Sequence, residues 1–107
     1  MPDEIVLQLS HRDVNLGFFK PLKNEILALR AGQTLRFDNN CLYSGAGNMA
    51  VARLSQKMQG ELRLWAEKGY AVNSATIRFI VAWRPKDAPR DEKEHAVLLA
   101  DLTLKKI

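Results

Sequence analysis

Residues 74–84 read SATIRFIVAWR, and polar and apolar side chains alternate along this stretch. A period of two is typical of a β-strand, in which successive side chains point to opposite faces of a sheet. Residues 95–106, HAVLLADLTLKK, alternate in the same way, with apolar side chains at every even position from 96 to 104. The two stretches therefore predict a pair of long strands. In the first of them one face is expected to hold Ala75, Ile77, Phe79, Val81 and Trp83.

The connection between these strands, residues 84–94, is polar and contains two prolines. Such a stretch cannot continue a central strand, because proline has no N–H to donate to a neighbour. We expect a long, exposed hairpin connection with both acidic and basic side chains.

Upstream of the strand pair, apolar residues recur at intervals of three and four. This spacing places them on one side of an α-helix, and it predicts a helix over about residues 48–68. Gly69 is expected to end the helix, and the glycine-containing loop 44–48 precedes it. The apolar stripe consists of Val51, Leu54, Met58, Leu62 and Trp65.

The first part of the chain predicts a strand, a helix and a second strand. Ile5, Leu7 and Leu9 alternate with polar neighbours, as in a half-buried strand. A helix is predicted over residues 21–31, because Pro21 suits a first helical turn and Gly32 suits a left-handed end. The second strand is expected at residues 34–37.

The second strand has an open alternative at its end. Asp38, Asn39 and Asn40 are typical turn residues. Residues 41–43 could then return as the second arm of a small hairpin, or the strand could run on toward Tyr43.

The chain of 107 residues and 12.1 kDa matches the size of one domain, so we expect residues 1–107 to form a single α+β domain. The predicted order is β-α-β-α-β-β. It indicates a two-layer sandwich in which a four-stranded mixed sheet carries two helices on one face and a long hairpin joins the last two strands.

Composition argues against several classes of function. One cysteine, Cys41, excludes an intrachain disulfide and a cysteine-rich zinc site. The two histidines are isolated from each other, and no cluster of His, Asp and Glu occurs at metal-ligand spacing. No flanking motif supports a nucleophile–base pair of Cys41 with His11 or His95. The sequence therefore predicts a protein that is not an enzyme and that needs neither a metal nor a cofactor.

The start of the sequence, Met1 to Glu4, is acidic and unlike a signal peptide. No stretch approaches the roughly 20 apolar residues that cross a bilayer. We therefore expect a cytoplasmic protein without a membrane segment.

Charge favours a nucleic-acid partner. The net charge is +4 and the sequence pI is about 9.5, and between Ile5 and Lys86 there are 12 Lys and Arg against 5 Asp and Glu. Such an excess predicts a positive surface that can meet phosphates. The alternative is that these cations only keep the surface solvated.

The order β-α-β-α-β-β, with a glycine loop before a long second helix, resembles the Alba family, whose architecture is shared by the C-terminal domain of translation initiation factor three. The resemblance implies a small basic homodimer that binds DNA or RNA, with contacts after the first strand, at the loop before the second helix and on the hairpin arm. In this sequence those places hold His11, Arg12, Lys20, Gly45, Gly47, Arg53, Arg84, Lys86 and Arg90. Lys23 at the first helix start and Lys57 one turn after Arg53 are further candidates by their positions. Because cations are in excess and aromatic residues are only 7% of the chain, we expect contact mainly with the phosphate backbone and weak sequence preference.

Two other functions fit the same residues. One is a protein-interaction or adaptor module, for example an accessory protein of a mobile element, which would use the Trp65 and Trp83 surfaces and the 84–94 hairpin. The other is a small phosphate-ligand binder. Residues 45–50 match the pattern G-x-G-x-x-A, in which small residues let phosphate approach a helix N-terminus.

Overall fold

The computed structural model describes residues 3–44, 49–83 and 95–107. In these ranges the chain forms six strands, two α-helices and one 3₁₀ helix. The elements in order are β1 (Glu4–Gln8), a 3₁₀ helix (Leu16–Leu22), α1 (Lys23–Leu27), β2 (Thr34–Asp38), β3 (Cys41–Ser44), β4 (Ala50–Arg53), α2 (Gln56–Glu67), β5 (Tyr70–Trp83) and β6 (His95–Lys106).

The six strands form one sheet in the order β1-β6-β5-β2-β3-β4. Every pair of neighbours is antiparallel, and the sheet curls into a half-barrel. The prediction of a four-stranded mixed sheet in the order β-α-β-α-β-β is therefore wrong. The chain remains α+β, but it has two strands that the predicted order does not contain: β3, in a stretch whose structure was left open, and β4, from residues that were assigned to a helix.

The β2–β3 connection explains one of these extra strands. Asn39 and Asn40 have φ values of 48° and 64°, and two successive residues with positive φ form the tight turn that best fits the twist of a hairpin. Asp38 then lies opposite Cys41. Of the two possibilities left open by the sequence, the small hairpin is the one observed.

The start of α2 explains the other. Residues 50–53 pair with β3, where Leu42 faces Ala52, so the helix predicted from residue 48 begins only at Gln56. Val51 and Leu54 are buried, as expected from their apolar character, but neither lies on a helix. Val51 belongs to β4, and Leu54 forms a bridge with Val14 directly after it. The hydroxyl of Ser55 accepts the N–H of Met58 at 3.2 Å and caps the new helix start. Gly69, with φ 91°, follows the helix end as predicted.

The first helix also differs from its prediction. In place of a helix over 21–31, the chain forms the 3₁₀ helix and then the short α1, which together bury Phe19 and Ile26 completely. Gly32 has the predicted left-handed conformation, with φ 89°. Its N–H donates to the Ile77 carbonyl at 2.7 Å, which joins the end of this segment to β5.

Strands β5 and β6 confirm the prediction made from their alternation. The predicted common face of β5 is wrong in one respect, however. A register shift between Ile77 and Phe79 inserts Arg78 as an extra residue, and a bulge of this kind moves every following side chain to the other face. Phe79 and Val81 are consequently 41% and 38% exposed instead of lying in the core.

The inner face of the sheet is packed against α2. Ile5 and Leu7 of β1 lie opposite Leu104 and Leu102 of β6, and the α2 residue Met58 is buried in the same core cluster. Among the described residues, no helix combines the length and the apolar character that a membrane span requires.

Candidate functional site

The turn that follows β1 is attached to the start of α2 by one carboxylate. Asp13 accepts hydrogen bonds from the Ser10 N–H at 2.9 Å, from the Ser10 hydroxyl at 3.2 Å and from Lys57 Nζ at 3.2 Å. Its own carbonyl accepts the Ser55 N–H at 2.9 Å. The Asp13 side chain is only 12% exposed. Its charge is therefore nearly buried, and Ser10 and Lys57 donate hydrogen bonds to it.

The partners of Asp13 decide its ionisation. Burial opposes the charged form and would raise the pKa of Asp13, but the Ser10 N–H, Lys57 and the Ser10 hydroxyl together hold that pKa below its usual value. The hydrogen bond to Asp13 and the nearby charges of Asp13 and Glu61 in turn raise the pKa of Lys57. Both groups are therefore ionised near neutral pH.

Backbone contacts complete the attachment. Val14 forms an isolated antiparallel bridge with Leu54, and the Asn15 N–H donates to the Arg53 carbonyl at 2.8 Å. The Leu54 N–H donates to Asn40 at 2.9 Å. We call residues 10–15 together with residues 53–58 the junction, because here the turn after β1, the end of β4 and the start of α2 meet.

A cleft of about 540 Å³ opens at one side of the junction. Three apolar residues, Val14, Leu16 and Leu54, contribute to its wall. The polar side chains that line it are those of His11, Asn15, Arg53, Ser55, Gln56 and Gln59.

The cleft suits an anion. None of the described residues that line it carries a carboxylate, and Arg53 has no ion pair with any described residue. Gln56 at the start of the twelve-residue α2 lines the cleft, and its N–H and that of the next residue, Lys57, have no hydrogen-bond partner among the described residues. Unpaired N–H groups and the positive end of the helix dipole favour negative charge.

Two of the predicted contact residues, His11 and Arg53, are thus brought to one cleft although 42 positions separate them in the sequence. Lys57 is not available in the same way. Its ammonium lies 3.2 Å from Asp13 and 3.5 Å from Glu61, so two carboxylates of the fold neutralise it.

None of the other predicted contact residues that the structure describes lines the cleft. Arg12 is exposed in the turn beside His11, and Lys23 is exposed at the first position of α1. The Lys20 backbone belongs to the 3₁₀ helix. The remaining five, Gly45, Gly47, Arg84, Lys86 and Arg90, lie outside the described residues.

The sequence prediction missed several residues of the cleft. Asn15, Ser55, Gln56 and Gln59 were not selected, because the helix was expected to begin near residue 48 and Ser55 was therefore not recognised as its cap. The signal was present, since serine is among the preferred residues at a helix N-cap.

Two stacked arginines on the strands were also missed. The Arg36 guanidinium lies 4.5 Å from the centre of the Tyr43 ring, and that of Arg78 lies 4.6 Å from the centre of the Phe79 ring. Arg78 also donates to Asp101 at 3.1 Å and to the Leu9 carbonyl at 2.6 Å. Arg78 therefore ties β5 to β6 and to the end of β1. The alternation along β5 could not predict these contacts, because it does not reveal the bulge at Arg78.

Within the part of the chain that the structure describes, no three His, Cys, Asp or Glu side chains come together as metal ligands. Cys41 lies on β3 opposite Arg53 and is partly buried. It does not line the cleft that contains His11.

Comparison with protein-family models, with curated proteins and with solved structures finds no match for this chain. The resemblance to the Alba family was based on an element order that the structure does not have. Membership of that family stays a prediction, and the function has to be inferred from the site.

Proposed function

We propose that this protein binds nucleic acid by holding backbone phosphates in the cleft beside the start of α2. The observation that carries the proposal is that His11 and Arg53 line one cleft in which no described residue contributes a carboxylate. We propose a cytoplasmic location for the protein, as expected from its sequence.

The chemistry of the cleft supports a phosphate ligand. The Arg53 guanidinium can donate two parallel hydrogen bonds to phosphate oxygens, and the unpaired N–H groups of α2 can donate further ones. Asn15, Gln56 and Gln59 add neutral amides. Arg, Asn and Gln side chains can bond base edges as well as phosphate, but backbone N–H groups at a helix start bond phosphate oxygens without reading the sequence. Because such N–H groups lie beside Arg53 in this cleft, we expect weak sequence preference.

The surrounding charge supports a polymer over a single phosphate. Arg12 and Lys23 are exposed outside the cleft, and the stretch from Ile5 to Lys86 has the excess of cations noted above. A chain of phosphates can contact several such sites at once, and each contact releases counterions.

The test is a binding titration with duplex DNA, single-stranded DNA and RNA at two salt concentrations, for the native protein and for Arg53→Gln. We expect the substitution to weaken binding by roughly tenfold at low salt, because a hydrogen bond to a charged group contributes about 1.5 kcal/mol or more. The decrease should be similar for unrelated sequences, and the salt slope on duplex DNA should fall by about 0.9.

Lys57→Gln is the matched control. It removes one positive charge four positions from Arg53, but that charge is already held by Asp13 and Glu61. We expect it to leave affinity and salt slope nearly unchanged. Equal losses in the two variants would mean that net charge alone attracts the ligand, and absence of binding by the native protein at low salt would refute the proposal.

A protein-interaction function is the second candidate, and one observation favours it. Phe79 and Val81 are large apolar side chains exposed on β5 directly before the 84–94 connection. Binding of a protein partner there would be insensitive to salt and would be lost in Phe79→Ser, whereas Arg53→Gln would not affect it.

A further inference from the structure

The outer edge of β1 has no strand beside it within the described ranges. β1 and β4 end the strand order, so each has one neighbour among the described strands. The last residue of β4 is engaged at the junction, where the Arg53 carbonyl accepts the Asn15 N–H. No described residue makes a comparable contact with the outer side of β1.

Two hydrogen bonds determine which β1 groups point outward. The Leu9 N–H donates to Ala100, and Asp3 accepts the Lys106 N–H, each at 3.0 Å. Since the direction of the backbone groups alternates along a strand, the odd-numbered residues between them face β6. The N–H and C=O groups of Glu4, Val6 and Gln8 face away from it, and no described residue bonds to them.

β1 lacks most of the features that keep another strand from adding to an edge. Exposed edges are commonly protected by charged side chains, lysine above all, by proline, by a bulge or by being very short. The five-residue strand EIVLQ contains no lysine or proline, its register with β6 is regular, and its one charge, Glu4, lies at its end. Val6 is 54% exposed at its centre. A groove of about 380 Å³ runs beside the strand and reaches Met58 and Glu61 of α2.

We propose that the partner at this edge is a second copy of the chain, whose β1 pairs antiparallel with this β1 about a two-fold axis at Val6. In this register, residues whose backbone N–H and C=O groups point away from β6 pair with each other. Val6 lies opposite the partner's Val6, and Glu4 lies opposite the partner's Gln8. The pairing forms about six backbone hydrogen bonds, whereas a shift by two residues forms about four.

Side chains favour the same register and the same partner. The central contact joins two exposed valines, and a β-branched pair opposite each other stabilises a sheet. Each Glu4 carboxylate meets a Gln8 amide, which can donate to it, so that no like charges are opposed. A two-fold axis requires one surface patch to be complementary to itself, and the sequence EIVLQ satisfies this condition.

The α2 helix adds to the interface. Lys57, Glu61 and Leu64 share one side of α2 by their helical spacing, and Glu61 lines the groove beside β1. Leu64 is largely exposed. Because the two-fold axis keeps the same face of both sheets together, the two α2 helices lie on one side of the joined sheet and flank the new strand pair.

The test is the molecular mass in sedimentation across the micromolar range, for the native protein, Val6→Lys and Val81→Lys. The native protein should approach twice 12.1 kDa. Val6→Lys opposes two ammonium groups across the axis and should weaken the dimer by roughly tenfold or more. Val81→Lys introduces the same charge on β5, away from the edge, and should leave the dimer intact. Circular dichroism checks that all three proteins are folded.

A cross-link tests the register. In a Cys41→Ser background, Val6→Cys should form an intermolecular disulfide on mild oxidation, because the two Cα atoms of such a pair are about 5.5 Å apart. Val81→Cys should not. A native protein that stays at 12.1 kDa, or a dimer that Val6→Lys does not weaken, would overturn the proposal. A 12.1 kDa protein that binds extended peptides at this edge would replace the second copy with another partner.

Discussion

The two sides of the α2 start differ in how completely their polar groups are satisfied. On the side of the β1 turn, Asp13 is surrounded by hydrogen-bond donors from Ser10 and Lys57. On the side of the cleft, the Arg53 guanidinium has no ion pair and the Gln56 N–H has no hydrogen-bond partner among the described residues. Buried polar groups stabilise a fold only when they are paired. The difference therefore separates charges that hold the junction together from charges that remain available to a ligand.

The largest loss of stability is expected on substitution of Leu54, the apolar residue beneath both sides of the α2 start. Leu54 is 1% exposed and its backbone bridges to Val14. Leu54→Ala should reduce the free energy of unfolding by about 2–5 kcal/mol, because a fully buried leucine leaves a cavity that the surroundings fill only partly. Urea unfolding at neutral pH measures the loss. A change below about 1 kcal/mol would mean that the junction repacks freely and is not a rigid support for the cleft.

The next largest loss of stability is expected on substitution of Asp13. Asp13→Ala should cost about 1–3 kcal/mol of unfolding free energy, since it leaves the Ser10 N–H and Lys57 without their acceptor. Asp13→Asn is the matched variant, because the amide oxygen can still accept the Ser10 N–H but has no charge for Lys57. It should lose less than the alanine variant. Equal losses in both would assign the whole effect to charge.

A third, smaller effect is the dependence of stability on pH. The pKa of Asp13 is lowered by folding from its ordinary value of 3.8, so the unfolded chain binds the proton more readily than the folded one. The resulting stabilisation is complete above the unfolded pKa and is lost as the pH falls through the lower folded pKa. The native protein should therefore lose more stability than Asp13→Asn in acid below about pH 4. Parallel curves for the two proteins would contradict the role assigned to Asp13.

The strands with long alternating patterns were predictable, and the short ones were not. β5 and β6 bury enough apolar side chains for the period of two to be visible in the sequence. β4 has only four residues, and its Val51 fits the helical spacing of Leu54 and Met58 equally well. Residues 50–53 form a strand because they pair with β3. This pairing cannot be predicted from the spacing of apolar residues within one short segment.

The cleft was predictable only in part for the same reason. Excess positive charge selected His11, Arg53 and Lys57 alike, because a count of charges does not record which of them the fold neutralises. The contact between Asp13 and Lys57 joins residues 44 positions apart. It depends on the Val14–Leu54 bridge and hence on β4. An incorrect assignment of residues 50–53 thus concealed which of the cations remain unpaired.

The smallest expected effect on stability distinguishes the two cations themselves. Arg53→Gln should change the free energy of unfolding by less than about 0.5 kcal/mol, because this exposed side chain has no described ion pair to lose. Lys57→Gln should be destabilising, but less so than Asp13→Ala, since the Lys57 side chain is 62% exposed and water replaces part of its contact with Asp13. Urea unfolding of both variants at one salt concentration gives the comparison.

Combined with the binding titration, the expected pattern is opposite for the two: Arg53 contributes to affinity and not to stability, and Lys57 contributes to stability and not to affinity. If Arg53→Gln were the more destabilising of the two, Arg53 would belong to the structure of the junction, and the cleft would lose the cation on which phosphate binding depends.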